Sequence, residues 1–289
     1  MTRRRQVSLQ TGPFQIRLDT DCAPLVATLV EFYPHLVAGG EQWIHNFHVS
    51  LCRPFGPRRW TRPQIRFLVD EGSPFEPYPL DHAFPLFEWG VNWCIAMRAH
   101  QYLMLHAAVV ERNGGALMLP ALPGSGKSTL CAALALRRWR LLSDEFGLFD
   151  LNERVIAPLP RAVPLKNESI AVIRAFDPAA YLGPLFAKTR KGDVAHLRPP
   201  GDSLLRQREP ARPRWIVFPR FERGHRAELR VLPKSEAFVR LAQNSFNYAF
   251  LRAHGFSALS EIVTASDCYS LVFGSLAEAI AILDATCVG

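Results

Sequence analysis

Apolar and polar positions alternate with period two in "FQIRL" (residues 14–18), and compact β-branched and aromatic runs recur in "FHVSLCRP" (47–54) and "QIRFLVD" (64–70). Strands are expected at all three. Between the first two lies a longer apolar stretch, "APLVATLVEFYPHL" (23–36), and proline and glycine then crowd "EGSPFEPYPLDHAFP" (71–85), which reads as a linker or long turn. Beyond it the period changes. Leu86, Trp89, Trp93 and Met97 recur at three- and four-residue steps in "PLFEWGVNWCIAMRAHQ", which predicts a helix with these four side chains on its buried face.

The second half alternates strands and helices more regularly. "YLMLHAAVVER" (102–112) and "ALMLPAL" (116–122) read as strands joined by an "NGG" hairpin turn, followed by a helix over about Ser128–Arg137 and a short strand, "RLLS" (140–143). A strand, turn and strand follow over 145–160, and "PLKNESIAVIRAF" (164–176) runs from a strand end into a helix. "PRWIVFPRF" (213–221) and "AELRVLP" (227–233) are expected strands, and "KSEAFVRLAQNSFNYAFL" (234–251) a single helix capped by Ser235. The end pairs a strand, "CYSLVFG" (268–274), with a helix, "SLAEAIAILDA" (275–285). The pattern divides the chain into an N-terminal α+β unit, residues 1–80, and a larger α/β domain with a mixed sheet, residues 81–289.

Composition narrows the class. With 289 residues, 48% of them hydrophobic and 21% charged, the chain has the make-up of a folded globular protein. No run approaches the ~18 to 20 apolar residues of a membrane span. The opening "MTRRRQVSLQTGPF" lacks the apolar core of a signal peptide, so the expectation is a cytoplasmic protein without a membrane partner. Six cysteines lie far apart with no C-x-x-C pair, which favours reduced, mostly buried thiols.

The net charge of +8 is concentrated: from Lys188 to Arg230 twelve Lys or Arg face five acids. Such a segment would attract nucleotide phosphates or an acidic protein, or else be a solvated loop region. Charge alone also suggests a nucleic-acid partner, but no recognition motif accompanies it. Self-association is left open by the sequence.

The chemistry is concentrated after the second strand of the hairpin. Ala121-Leu-Pro123-Gly124-Ser125-Gly126-Lys127-Ser128-Thr129 fits G-x-x-x-x-G-K-[ST] except at its first position, where alanine stands for glycine. Gly124 and Gly126 let the backbone curl so that its N–H groups face inward, and the following helix presents its positive end to the same anion. Lys127 is then expected to reach the β- and γ-phosphates of ATP and the Ser128 hydroxyl to ligate Mg²⁺.

Only 17 residues past Lys127, Asp144 and Glu145 follow the strand "RLLS" and are expected to emerge at the sheet edge that bears the loop. Two neighbouring carboxylates there can divide labour, one on Mg²⁺ and one taking a proton from an attacking hydroxyl. The succession "LHAAVV", "PGSGKST", "LLSDEF" resembles the HPr kinase/phosphorylase catalytic domain, and "PLKNESI", "AHLRPP" and "NSFN" resemble segments of HPr-kinase-related kinases.

The resemblance implies a core shared with phosphoenolpyruvate carboxykinases, ATP and Mg²⁺ as cofactors, and transfer of phosphate to a serine hydroxyl of a protein or peptide. It implies His106 near the phosphates, Lys127 and Ser128 in the loop, Asp144 as catalytic base and Glu145, with Ser128, at the metal. Pro123 and Glu145 replace the family's loop serine and second aspartate. The glycine-rich signature of the bifunctional enzymes has no counterpart here, so the resemblance supports the kinase reaction and not its phosphorylase reversal.

Two further sites carry two readings each, and a third carries one. Lys166 and Asn167 could supply charge and a hydrogen bond at the phosphates, or Glu168 could complete the metal site; the other reading is a helix entry with Asn167 as cap. Arg198, held by two following prolines, could present a rigid guanidinium to a phosphate or carboxylate, or form a surface turn. Asn244 and Asn247 are read as a hydrogen-bonding network that holds the core. A nucleotide-binding regulatory module and a small-molecule hydroxyl kinase remain alternatives to the protein kinase.

Overall fold

The computed structural model describes residues 4–34, 37–38, 44–56, 61–70, 72–122 and 124–288. Their contacts fall into two compact units, one of residues 1–99 with 183–196 and one of residues 100–182 with 197–289. The division comes after Ala99, later than the expected boundary at residue 80, because the helix "AFPLFEWGVNWCIAMR" packs on the N-terminal sheet.

In the first unit, β1 (Arg5–Thr11) and β2 (Phe14–Thr20) form a hairpin, followed by α1 (Ala23–Phe32), β3 (Val37–Ala38), β4 (Phe47–Cys52), β5 (Gln64–Val69) and β6 (Tyr78–Pro79). The sheet order is β3-β1-β2-β4-β5-β6. Alternation in sequence becomes alternation in burial: Phe14, Ile16 and Leu18 are buried, with Gln15, Arg17 and Asp19 between them. Against this sheet lies α2 (Ala83–Arg98), seated closely at Gly90, where a Cβ would fall 2.2 Å from the Phe67 ring.

The helix has the expected period but a different phase. The buried stripe is Phe84, Phe87, Val91, Cys94 and Ile95, together with the expected Leu86, while Met97 is exposed. Trp89 and Trp93 are half-buried against Phe75, the first stacked on it at 4.1 Å between ring centroids.

The second unit begins with a long hairpin, β7 (Tyr102–Arg112) and β8 (Gly115–Pro120), turning on Asn113 and Gly114, both at positive φ. There follow α3 (Lys127–Leu136), β9 (Arg140–Ser143), β10 (Phe146–Asp150), β11 (Ile156–Ala157), β12 (Val163–Lys166) and α4 (Glu168–Phe176). A hairpin of β13 (Phe186–Thr189) and β14 (Gly192–Leu197) belongs, up to His196, to the first unit. The chain then forms α5 (Gly201–Leu205), β15 (Arg212–Phe221), β16 (Glu228–Val231), α6 (Lys234–Gln243), α7 (Tyr248–Leu251), α8 (Ala253–Ala265), β17 (Asp267–Phe273) and α9 (Leu276–Thr286).

The main sheet of this unit runs β11-β10-β7-β8-β15-β17-β16, with β9 also on β7. It is mixed: β8, β15 and β17 are parallel and the other pairs antiparallel. Leu105, Val109, Met118 and Ile216 of one face pack with Leu241 of α6 and Leu259 and Ile262 of α8. The alternate positions Ala108, Val110, Leu117 and Leu119 are also buried, and α3 lies against β7, β8 and β9, with α9 behind it. The mixed α and β architecture agrees with the sequence reading.

Two local expectations fail for physical reasons. The segment 234–251 is not one helix: α6 stops at Gln243 because Asn244–Asn247 is drawn into the backbone pairing of β7. Nor does Ser235 cap it, since the helix starts on Pro233, whose fixed φ suits a helix start and which offers no capping side chain. The six cysteines are unpaired and all but Cys52 are buried. No helix among the described residues is long and apolar enough to cross a membrane.

Candidate functional site

The loop leaves the middle of the main sheet, between β8 and α3. Gly124 and Gly126 both hold positive φ, at 87° and 84°, which lets the chain reverse and enter the helix at Lys127 without a capping side chain. Gly126 has a second reason to be glycine: a Cβ there would lie 2.9 Å from the Phe221 Cβ. The Phe221 N–H donates to the Ser125 carbonyl at 3.0 Å, which fastens the loop to the end of β15. Ser125, Lys127, Ser128 and Thr129 are all half-buried around the bend, whereas Pro123, expected among the phosphate-binding residues, lies outside the described residues.

The acidic pair sits differently from expectation. β9 and β10 both run antiparallel to β7, with Ser143 opposite Val109 and Phe146 opposite His106, so the pairing resumes in register across the two acids. Asp144 and Glu145 are therefore a brief break in one line of strand and not the end of an edge. That break turns the Asp144 carboxyl toward α3, where the Ser128 hydroxyl donates to its Oδ2 at 2.9 Å. Its Oδ1 is buried without a hydrogen-bond partner, and so is the Ser125 Oγ. Two orphaned polar atoms, one on the loop and one on the acid facing it, are groups that a polar ligand would satisfy.

Burial holds the Asp144 carboxyl above the ordinary aspartate range; Lys127 and the Ser128 hydroxyl oppose the shift, Glu145 adds to it, and Lys166 opposes it again. Lys127, Ser128, Glu145 and Lys166 thus all act on Asp144. Asn167, beside Lys166, holds φ 51° and ψ −122°, a backbone conformation costly for an L residue, and makes no side-chain cap to α4. The bend is held instead by Ser169, whose hydroxyl meets both the Lys166 N–H, at 2.7 Å, and its carbonyl, at 2.6 Å.

His106 lies in β7 directly opposite Phe146, the residue after the acids, and its ring meets Phe246 edge-on at 5.4 Å. Phe246 also packs on Phe146 at 4.9 Å and is half exposed. It is placed by its flanking asparagines. Asn247 accepts from Met104 N–H at 2.9 Å and donates to the Tyr102 carbonyl at 2.8 Å, while the Asn244 carbonyl accepts from His106 N–H at 2.6 Å. Asn247 thus has the core-holding role read from the sequence; Asn244 contributes through its backbone.

Arg198 is exposed, stacks over Tyr181 at 4.8 Å and donates its N–H to the Tyr181 carbonyl, contacts that tie it to the preceding turn. In the first unit His196 is buried edge-on to Phe84 and Phe186. Within the basic segment several arginines have acidic partners: Arg206 pairs with Asp202 and Glu209, Arg220 with Glu222, Arg223 with Glu168 and Arg230 with Glu228.

Among the described residues no cluster of three or more His, Cys, Asp or Glu could hold a metal ion. The donors here suit a hard cation that takes few protein ligands and completes its shell with phosphate oxygens and water, which is how Mg²⁺ binds. The Ser128 hydroxyl can present a lone pair to such an ion while its O–H still donates to Asp144. Phe221 belongs to no motif, and Phe246, although within "NSFN", carries no chemistry that marks it in the sequence; their positions in the fold bring them here. No family model matches the chain, and no curated protein matches it.

Proposed function

We propose that the chain is an ATP-dependent kinase of the HPr-kinase-related kind, with the phosphoenolpyruvate-carboxykinase-like core that the kinship implies. It transfers the γ-phosphoryl group to a hydroxyl, a serine of a protein or peptide. The observation that carries the reading is the hydrogen bond from Ser128 to the buried Asp144, whose second oxygen has no partner. It joins a phosphate-loop hydroxyl to a carboxyl of raised proton affinity, as a transfer site requires.

In this reading the loop backbone and Lys127 hold the β- and γ-phosphates, and Lys166 adds positive charge on the side of Asp144. Asp144 accepts the proton of the acceptor hydroxyl as its oxygen bonds to the γ-phosphorus; the bond from that phosphorus to the bridging oxygen breaks, and ADP departs. Ser128 and Glu145 would hold Mg²⁺, which supplies charge neutralisation on the phosphates. His106 lies on the same flank as the acids and would orient the transferred group. Arg198 has no part assigned. The reaction is placed in the cytoplasm, where ATP is supplied and free thiols stay reduced.

The test uses purified protein, Mg²⁺, ATP labelled at the γ-phosphate, and candidate acceptors read by mass spectrometry. Lys127→Ala should lose nucleotide binding, whereas Asp144→Asn should keep binding and lose transfer by 10²-fold or more. Tight binding with no transfer to any acceptor, by the parent chain, would instead make the protein a nucleotide-binding regulatory module. Binding unchanged in Lys127→Ala would remove the nucleotide reading altogether.

A further inference from the structure

We infer that Phe221 is the platform for the nucleoside base of the bound nucleotide, an inference that rests on the nucleotide reading above and says where the rest of the ligand lies. Within the main sheet β8 has β7 on one edge and β15 on the other. The loop rises from the end of β8; the acids break the strand beside β7, and Phe221 closes β15. The acids and Phe221 therefore flank the loop on opposite sides. A γ-phosphate facing Asp144 leaves the nucleoside only the other flank.

What stands on that flank is a large aromatic ring, 46% exposed, at the rim of a phosphate cradle. It is held firmly. Its N–H is bonded to the Ser125 carbonyl, its Cβ is against Gly126, and its ring meets Phe273 edge-on at 5.7 Å. The turn after it is equally fixed: Glu222 N–H donates to the Phe273 carbonyl at 2.8 Å, and a Cβ at Gly274 would strike the Glu222 and His225 backbone at 2.6–2.7 Å.

Arg220 pairs with Glu222, and Arg223 with Glu168 at 3.4 Å, so these charges have partners on the protein. A ring exposed yet immobilised at this point offers a face on which a base can stack. Stacking on a phenyl ring accepts any base, so the platform holds the nucleoside without choosing adenine over guanine.

The experiment is calorimetric titration of the whole chain with Mg²⁺ and ATP, GTP or inorganic tripolyphosphate. The parent chain should bind both nucleotides more tightly than tripolyphosphate. Phe221→Leu, which keeps apolar packing on Gly126 and Phe273 but removes the aromatic face, should weaken ATP and GTP about tenfold each and leave tripolyphosphate unchanged. Phe221→Trp should restore both. If Phe221→Leu weakens all three ligands equally, the ring only shapes the loop; if it weakens none, the base lies elsewhere. Either result overturns the platform while loss of all binding in Lys127→Ala would leave the phosphate cradle standing. A parent chain that binds none of the three overturns both.

Discussion

At the scale of single residues the two loop glycines look alike in sequence and differ in structure. Both hold positive φ, for which an L side chain costs about 1–2 kcal/mol. Gly124 has nothing within 4 Å of its would-be Cβ, whereas Gly126 meets the Phe221 Cβ and the Phe273 ring. Gly124→Ala should therefore lower stability by about 1–2 kcal/mol, and Gly126→Ala by clearly more, in urea unfolding. Equal losses would show that the contact with Phe221 carries no weight.

Asp144 makes a second residue-scale prediction. Because folding raises its proton affinity, it stabilises the nucleotide-free protein fully below about pH 4, and that contribution is lost as pH rises through the raised value. Asp144→Asn keeps the neutral shape, so its melting temperature should gain on the parent as pH rises from about 4 through the raised value, and the difference should then level off. A difference independent of pH would contradict the burial argument.

Among elements, the ones legible in the sequence were those fixed by local chemistry. The β7–β8 hairpin followed from two apolar runs around Asn113 and Gly114, and the loop and α3 from their glycines and the alanine-rich run after them. Three features were not legible, each because a distant partner decides it. Nothing near Asp144 reveals that β10 continues the pairing of β9 along β7. Trp89 and Trp93 had the right period for a buried face, but Phe75 covers them and the helix turns Phe87 and Val91 inward instead. Helical periodicity carries on past Gln243, yet β7 claims Asn244–Asn247 with its own backbone groups.

That last contest is decided by Asn247, buried and bonded to both Met104 and Tyr102. Asn247→Ala leaves a buried N–H and carbonyl of β7 unsatisfied, at about 1–3 kcal/mol for each group. Chemical denaturation should show a loss of about 2–6 kcal/mol. Since the same segment places Phe246 on His106 and Phe146, the phosphoryl transfer proposed above should fall with it even at temperatures where the variant stays folded. A variant as stable and active as the parent would mean that the asparagine is a passenger.

For the whole molecule, charge gives less than its total suggests. The net +8 includes a basic segment in which several arginines meet nearby acids or aromatic rings, as Arg206 meets Asp202, Arg230 meets Glu228, Arg214 meets Trp215 and Arg190 meets Tyr78. The residues proposed to meet the ligand are spread through the second unit: the loop at 121–129, the acids at 144–145, Lys166 at the end of β12, and Phe221 at the end of β15. All of these join through the main sheet or α3, and none belongs to the first unit. A ligand that binds only the folded site stabilises what surrounds it by mass action.

Hydrogen exchange with and without ATP and Mg²⁺ should accordingly slow at 121–130, 141–146 and 219–224 together, with no change over Arg5–Val69. Protection confined to the loop would mean that phosphate is held without the acids or the β15 flank, and protection spread evenly over the chain would mean that the two units respond as one body.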